Sequence, residues 1–305
     1  MTIRKASHAG SWYSGAEKQL AGELRGWVTA AHSAPNPTCR AIVSPHAGYA
    51  YSGPTAAWAY KCMDVKKIKR VFILGPSHHY YLDGCALSQC SRYATPLGDF
   101  TLDEKVIAEL AKTGSFETME VDQDEEEHSI EMQLPILYHM FTAYCDIPNV
   151  VPILVGSIST TTETKFGEIL APYLADPSNL FIISSDFCHY GSRFAFTSLP
   201  NLEADGGKEA PIHKRIEALD KQGMAEIESL DHKRFANYCK KTKNTICGRH
   251  PIGVLLAAVE KLKSQCCVQG TEAKLKFVDY SQSGQAQSPR DSSVSYAAGY
   301  LSLKA

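Results

Sequence analysis

Arg70-Val-Phe-Ile-Leu-Gly-Pro-Ser-His-His79 passes from an apolar run straight into a turn that ends in two histidines. Two other stretches share this build. Ala41-Ile-Val-Ser44 opens into Pro45-His46-Ala47-Gly48, and Asn179-Leu-Phe-Ile-Ile183 opens into Ser184-Ser185-Asp186-Phe187-Cys188-His189. Each run is rich in β-branched or aromatic residues and lacks polar alternation, the pattern of a strand buried on both faces of a sheet. Val150 to Val155 reads as a fourth buried strand, with later strands at Lys274 to Val278 and Val294 to Leu301.

Helical segments fall between these runs: Gly53 to Cys62, Asp103 to Lys112, His128 to Met140, Thr162 to Ala175, Met224 to Leu230, His232 to Lys241 and Ile252 to Lys263. Near the start, Ser14 with Glu17 has the form of a capping box, and Leu20, Leu24, Trp27 and Val28 follow on one helical face. Strands alternating with helices predict an α/β fold, a single layered domain over residues 1–305. Its central sheet is mixed and largely parallel, flanked by helices. The Gly- and acid-rich stretch Ser198 to Pro211 reads as an exposed insertion loop, because no change of composition separates its two sides.

Composition narrows the function classes. The chain has 305 residues, 44% of them hydrophobic, enough for a large core. A net charge of −2 gives no basic field for nucleic acid or an anionic membrane. No apolar run is long enough for a membrane span, and MTIRKASHAGSWY lacks the apolar stretch of a signal peptide. The cysteines are scattered, with one adjacent pair at Cys266 and Cys267 and no CxxC. That usage suits free thiols in a reducing cytosol. GxGxxG, GxxxxGK[ST], GxSxG and HExxH are all absent, so nucleotide binding, a nucleophile elbow and a zinc helix have no support.

In open α/β sheets, ligands bind beyond the carboxyl ends of the strands. His46, His78, His79, Asp186 and His189 all follow predicted strands, so they should converge on one rim. A single such His is most often a hydrogen-bonding turn residue; three strands with the same ending point to a shared pocket. Imidazoles with one anionic group make a shell for a divalent metal. The anion could be Asp186, Glu131 or a thiolate. Cys247, in Thr245-Ile-Cys-Gly-Arg-His250-Pro-Ile-Gly, is the favoured thiolate, because a following helix start and the nearby Arg249 would lower its pKa. Cys247 with His189 or His250 also has the composition of a cysteine hydrolase. Cys188 reads as packing. His128 and Glu131 share a helical face, either as metal donors or as a charged first turn. Ser7-His8-Ala9-Gly10-Ser11-Trp12-Tyr13 either lines the pocket or docks on the core.

The segments SHAGSWY (7–13), PHAGY (45–49), FILGPSHH (72–79), DEEEHSIEMQLP (124–135), ADPSNLF (175–181), SSDFCH (184–189), NTICGRHPIGVLL (244–256) and DSSVSYAAG (291–299) resemble the Memo family in order and spacing. The resemblance runs from about residue 5 to about residue 302. It implies the fold of class III, non-haem iron extradiol dioxygenases, with iron or copper on His46, His78 and Cys247. Asp186 and His189 would lie beside the metal as the catalytic pair, His189 in the place of the dioxygenases' acid–base histidine. Cys247 stands where those enzymes have a carboxylate ligand, which argues against ring cleavage and for redox chemistry. The resemblance further implies cell-motility signalling downstream of receptor tyrosine kinases, with phosphotyrosine peptides and cytoskeletal regulators as partners. It implies a cytoplasmic location with access to the nucleus. The alternative is an inactive adaptor that takes a phosphotyrosine peptide in a former dioxygenase pocket.

Overall fold

The computed structural model describes residues 2–143, 146–200, 210–265 and 272–304. Its strands are β1 (Ile3–Arg4), β2 (Cys39–Ser44), β3 (Arg70–Pro76), β4 (Cys85–Ser88), β5 (Arg92–Tyr93), β6 (Phe100–Thr101), β7 (Phe116–Met119), β8 (Asn149–Val155), β9 (Asn179–Ser184), β10 (His189–Tyr190), β11 (Glu272–Gln282) and β12 (Ser293–Lys304). Its helices are α1 (Glu17–Ala30), α2 (Tyr49–Tyr60), α3 (Glu104–Ala111), α4 (Val121–Glu126), α5 (His128–Glu131), α6 (Leu134–Phe141), α7 (Thr160–Ala175), α8 (Ile212–Glu228), α9 (His232–Thr242) and α10 (Arg249–Gln265).

The main sheet has the order β10-β12-β2-β9-β3-β8-β4-β7, with β11 paired to β12. The four apolar runs form its centre: β2, β9, β3 and β8 are parallel neighbours. β12 and β4 join on either side antiparallel, so the sheet is mixed. The lack of polar alternation is explained by the two faces. Val71 and Ile73 of β3 and Leu180 and Ile182 of β9 enter one core with Leu20, Leu24 and Leu137. Phe72, Leu74, Phe181 and Ile183 enter the other with Leu170, Leu174, Ile252 and Leu256. Phe72 and Phe181 stack in adjacent strands, 4.6 Å between centroids. Each such side chain contributes about 1.5–3 kcal/mol by leaving water. On the second face α7 and α10 approach closely, because Gly167 sits where a Cβ would come within 2.6 Å of the Ala257 Cβ.

Several expectations about elements change. Ser14 does not cap α1; the residue before the helix is Ala16, and the Ser14 hydroxyl accepts from Ala16 N instead (3.2 Å). The helix expected over His128 to Met140 is two, α5 and α6. Pro135 lacks an N–H and its ring opposes the carbonyl four residues back, which breaks the run. Met224 to Leu230 covers only the end of α8, which begins at Ile212. β11 and β12 are longer than expected, because they pair with each other along almost their whole length. The short strands β4 and β7 have no counterpart in the sequence reading. Most of the Ser198 to Pro211 stretch, and the pair Cys266 and Cys267, lie outside the described residues. The described cysteines are all free thiols. No described helix is long and apolar enough to cross a membrane.

Candidate metal centre

β2, β3 and β9 end at the same edge, and the turns that follow bring their polar residues together. His46 and His78 lie with ring centroids 5.2 Å apart. The His46 N–H donates to Asp186 Oδ1 (2.8 Å), so the β2 and β9 turns are tied across the sheet.

The hydrogen bonds around His46 fix its tautomer. Ser184 Oγ, at the end of β9, donates its one hydrogen to the Ser129 carbonyl (2.7 Å). Gln133 Nε2 donates to Ser184 Oγ (2.9 Å) and to the Pro45 carbonyl (3.1 Å). With its hydrogen spent, Ser184 Oγ can only accept from His46 Nδ1, 2.8 Å away. His46 Nε2 therefore carries the lone pair, and Cys247 Sγ lies 3.2 Å from it. Burial, then the neighbouring His78, His128 and His189, holds the His46 pKa well below its ordinary value, so the ring is neutral.

His78 is built by the same logic from a carboxylate. Its main-chain N–H donates to Glu127 Oε2 (2.7 Å), and its Nδ1 lies 2.9 Å from Oε1. Burial opposes the Glu127 charge. The His78 hydrogen bond, the His78 and His128 rings and the Ser129 N–H outweigh it and hold the pKa at about 2. An ionised carboxylate only accepts, so His78 is protonated on Nδ1 and its Nε2 is free. His189 follows suit: Nδ1 is 2.9 Å from the Phe187 carbonyl and 3.1 Å from that of Thr245, again leaving Nε2.

His128, weighed in sequence between donor and helix-turn residue, joins this group. One nitrogen from each of His46, His78 and His128 lies within 4.8 Å of the others. Its ring stacks on His78 at 4.4 Å and lies tilted against Trp12 at 4.4 Å, and burial with the nearby His78 lowers its pKa to about 3. Its Nδ1 is buried and has no hydrogen-bond partner; Glu127 Oε1 at 3.5 Å is too far to serve.

Other expected residues fall out differently. Glu131 is not available as a ligand. Its oxygens accept from Arg4 Nη1 (2.7 Å), Tyr13 Oη (2.6 Å) and the His8 N–H (2.9 Å), with His8 Nδ1 also 2.9 Å away. Asp186 grips the His46 main chain rather than a ring nitrogen, and burial raises its pKa. The expected activation of Cys247 is reversed: burial, then the Asp186 carboxyl, pushes its thiol pKa up. Arg249 does not relieve this, because it lines a separate cavity and acts on Cys239. His250 binds Glu163 Oε1 (2.6 Å), which removes it as a base for Cys247. Cys188 is buried packing as expected, and His79 stands exposed at the edge, 5.8 Å from the His128 ring.

Comparison with known proteins agrees with the motif reading. A family model described as Memo-like protein matches residues 4–300. The chain belongs to the Memo family. It is 52% identical to Protein MEMO1 of Danio rerio over 301 residues, 99% of this chain and 98% of that one. It is 49% identical to Protein MEMO1 of Homo sapiens over 303 residues, with the same coverage. The memo-1 homolog of Caenorhabditis elegans is 45% identical over 98% of this chain and 82% of its own length. Among solved structures, uncharacterized protein JW3007 from Escherichia coli K12 superposes with a TM-score of 0.46 at 12% identity, covering 85% of this chain and 99% of that chain.

In this Memo-family chain the sequence reading missed Ser184, Glu127 and Gln133 as the groups that orient the pocket. Ser184 had a signal, as the first polar residue after the β9 run. Glu127 lay in an acidic stretch indistinguishable from a solvated surface. Gln133 carried none.

Proposed function

We propose that the chain is a metal-binding protein that holds iron or copper on His46 and His78, with Cys247 and His128 as the flanking donors. The observation that carries this reading is the shared treatment of the histidines. A hydroxyl, a carboxylate and a carbonyl fix Nδ1 of His46, His78 and His189 and free Nε2 of each for the pocket. Metal-ligating histidines are oriented in this way by their outer partners. The donors fit such an ion: neutral imidazoles, a buried His128 nitrogen lacking a partner, and a thiol beside His46. A bound iron or copper ion would supply one-electron redox chemistry. His189 Nε2 would hold or release a proton beside the pocket, and Asp186 fixes the turn that carries His46.

On this reading the protein works as one α/β domain of dioxygenase ancestry, because both cores are built on one sheet. Its cellular role is cell-motility signalling downstream of receptor tyrosine kinases, a role supported by family membership alone. The test is metal content and titration of wild type, His46→Ala, His78→Ala, His128→Ala and Cys247→Ala. His46→Ala and His78→Ala should abolish binding, and Cys247→Ala should weaken copper more than iron. Equal binding by all five proteins would refute the site.

A second reading, a peptide-binding adaptor, is favoured by the exposed aromatics at the rim. Trp12 packs against His128 and is 37% exposed; Tyr51 and Tyr81, shortly after His46 and His78, are more exposed still. Tyrosine-phosphorylated receptor peptides that bind equally with and without metal, and lose affinity in Trp12→Ala, would establish it.

A further inference from the structure

Behind the loop that carries Cys247 lies a second cavity of about 400 Å³, bounded by the starts of α7 and α10 and by α9. Lys240, Lys243 and Arg249 line it, and none of the three has an ion pair or a side-chain hydrogen bond among the described residues. The one carboxylate in its wall, Glu163, is fully engaged. Oε1 lies 2.6 Å from His250 Nδ1 and Oε2 lies 2.5 Å from His232 Nε2. That hydrogen bond, against burial, raises the His232 pKa, and both Glu163 oxygens are committed to the two histidines. The cations facing the cavity therefore remain uncompensated.

Two more features mark the cavity as built for an anion. His250 Nε2 lies in its wall, buried and with no partner. Glu163 fixes that ring from its other nitrogen. Thr160 and Arg249, the first residues of two long helices, both face the space, so the positive ends of both dipoles add to the field. Ile158 and Phe235 give it an apolar wall. The volume suits a small molecule, near the lower end of ligand pockets, and not a peptide strand.

We propose that this cavity binds a small phosphate monoester, its phosphate held by Lys240, Lys243 and Arg249 and its body against Phe235 and Ile158. The site is separate from the histidine pocket and does not depend on a metal. The two share a wall: Thr245 lines the cavity, and its Oγ1 and carbonyl accept from His189 N and Nδ1.

The test is calorimetric titration at fixed ionic strength with phenyl phosphate and inorganic phosphate, against chloride as control. Phenyl phosphate should bind once per chain and more tightly than inorganic phosphate. Arg249→Gln should weaken it about 10- to 100-fold, the worth of a charge-assisted contact. Lys243→Asn, which keeps the left-handed backbone at that position (φ 57°), should weaken it as well. Both side chains are exposed, so the fold is expected to survive, and circular dichroism checks it. Binding no tighter than chloride, or unchanged in both Arg249→Gln and Lys243→Asn, would overturn the proposal. Binding abolished by His46→Ala would overturn it by moving the anion to the histidine pocket. A phosphotyrosine peptide that binds through Arg249 where phenyl phosphate does not would overturn the small-molecule assignment.

Discussion

Removal of Arg4 should cost this fold several kcal/mol, about the worth of a buried pair broken from one side. It is fully buried, and its guanidinium donates in five directions. Nε reaches the Asp124 carbonyl (2.9 Å) and Asp124 Oδ1 (3.0 Å). Nη1 reaches the Lys5 carbonyl (2.9 Å) and Glu131 Oε2 (2.7 Å), and Nη2 reaches the Glu127 carbonyl (2.8 Å). Arg4→Met keeps most of the volume and leaves two buried carboxylates without their cation. Breaking a buried pair from one side costs about 3–5 kcal/mol. Arg4→Lys keeps the charge but not the fork, and should fall between.

The pH dependence supplies a second arm. Burial opposes the Glu131 charge, but the His8 hydrogen bond, Arg4 and Tyr13 overcome it and hold the pKa at about 2, against 4.5 in the unfolded chain. A depressed acid contributes stability above its unfolded pKa and loses it as pH falls toward the folded one. Held at about 2 instead of 4.5, this carboxyl contributes roughly 3 kcal/mol, lost between about pH 4.5 and pH 2. Arg4→Met should flatten this limb. Urea unfolding at pH 7 and at pH 3.5, followed by tryptophan fluorescence and circular dichroism together, measures both effects. A loss under about 1 kcal/mol at pH 7, or an unchanged acid limb, would refute the claim that Arg4 stabilises the Glu131 carboxylate.

Three other outcomes follow from single contacts. Glu127→Gln removes the charge that orients His78 and should weaken metal binding about 10- to 100-fold in titration, with the fold intact by circular dichroism. Gly167→Ala places a methyl against Ala257 and should lower stability by about 1–3 kcal/mol in urea. The intrinsic helix preference for alanine predicts the opposite sign, so a gain would refute the packing argument. Burial raises the fully buried Asp220 from 3.8 to about 6, so its contribution is favourable below pH 3.8 and is lost as pH rises through 6. Asp220→Asn should remove that penalty, about 3 kcal/mol, and a thermal melt at pH 8 no higher than wild type would count against it.

The contrast between the two halves of the pocket explains what a sequence can reveal about a site. His46, His78, Asp186 and His189 follow strands whose burial is written in their own composition, so their meeting at one edge follows from the α/β alternation. The family motifs add Cys247, which the structure puts 3.2 Å from His46. The chemistry of each group is another matter, because it is set by neighbours distant in sequence. Cys247 has the local features of an activated thiol, a helix start and a nearby arginine. Yet Asp186, sixty-one residues away, and burial determine its protonation, and Arg249 points elsewhere. Glu131 looks like a free carboxylate until Arg4, more than a hundred residues earlier, is placed against it. Spacing reports which side chains share an edge, since strands are local objects. Proton affinity and ligand availability depend on desolvation and on the partner across the fold, and neither leaves a local trace. The same reasoning applies to the second cavity, whose cations read as ordinary surface lysines until Glu163 proves to be spent on His232 and His250.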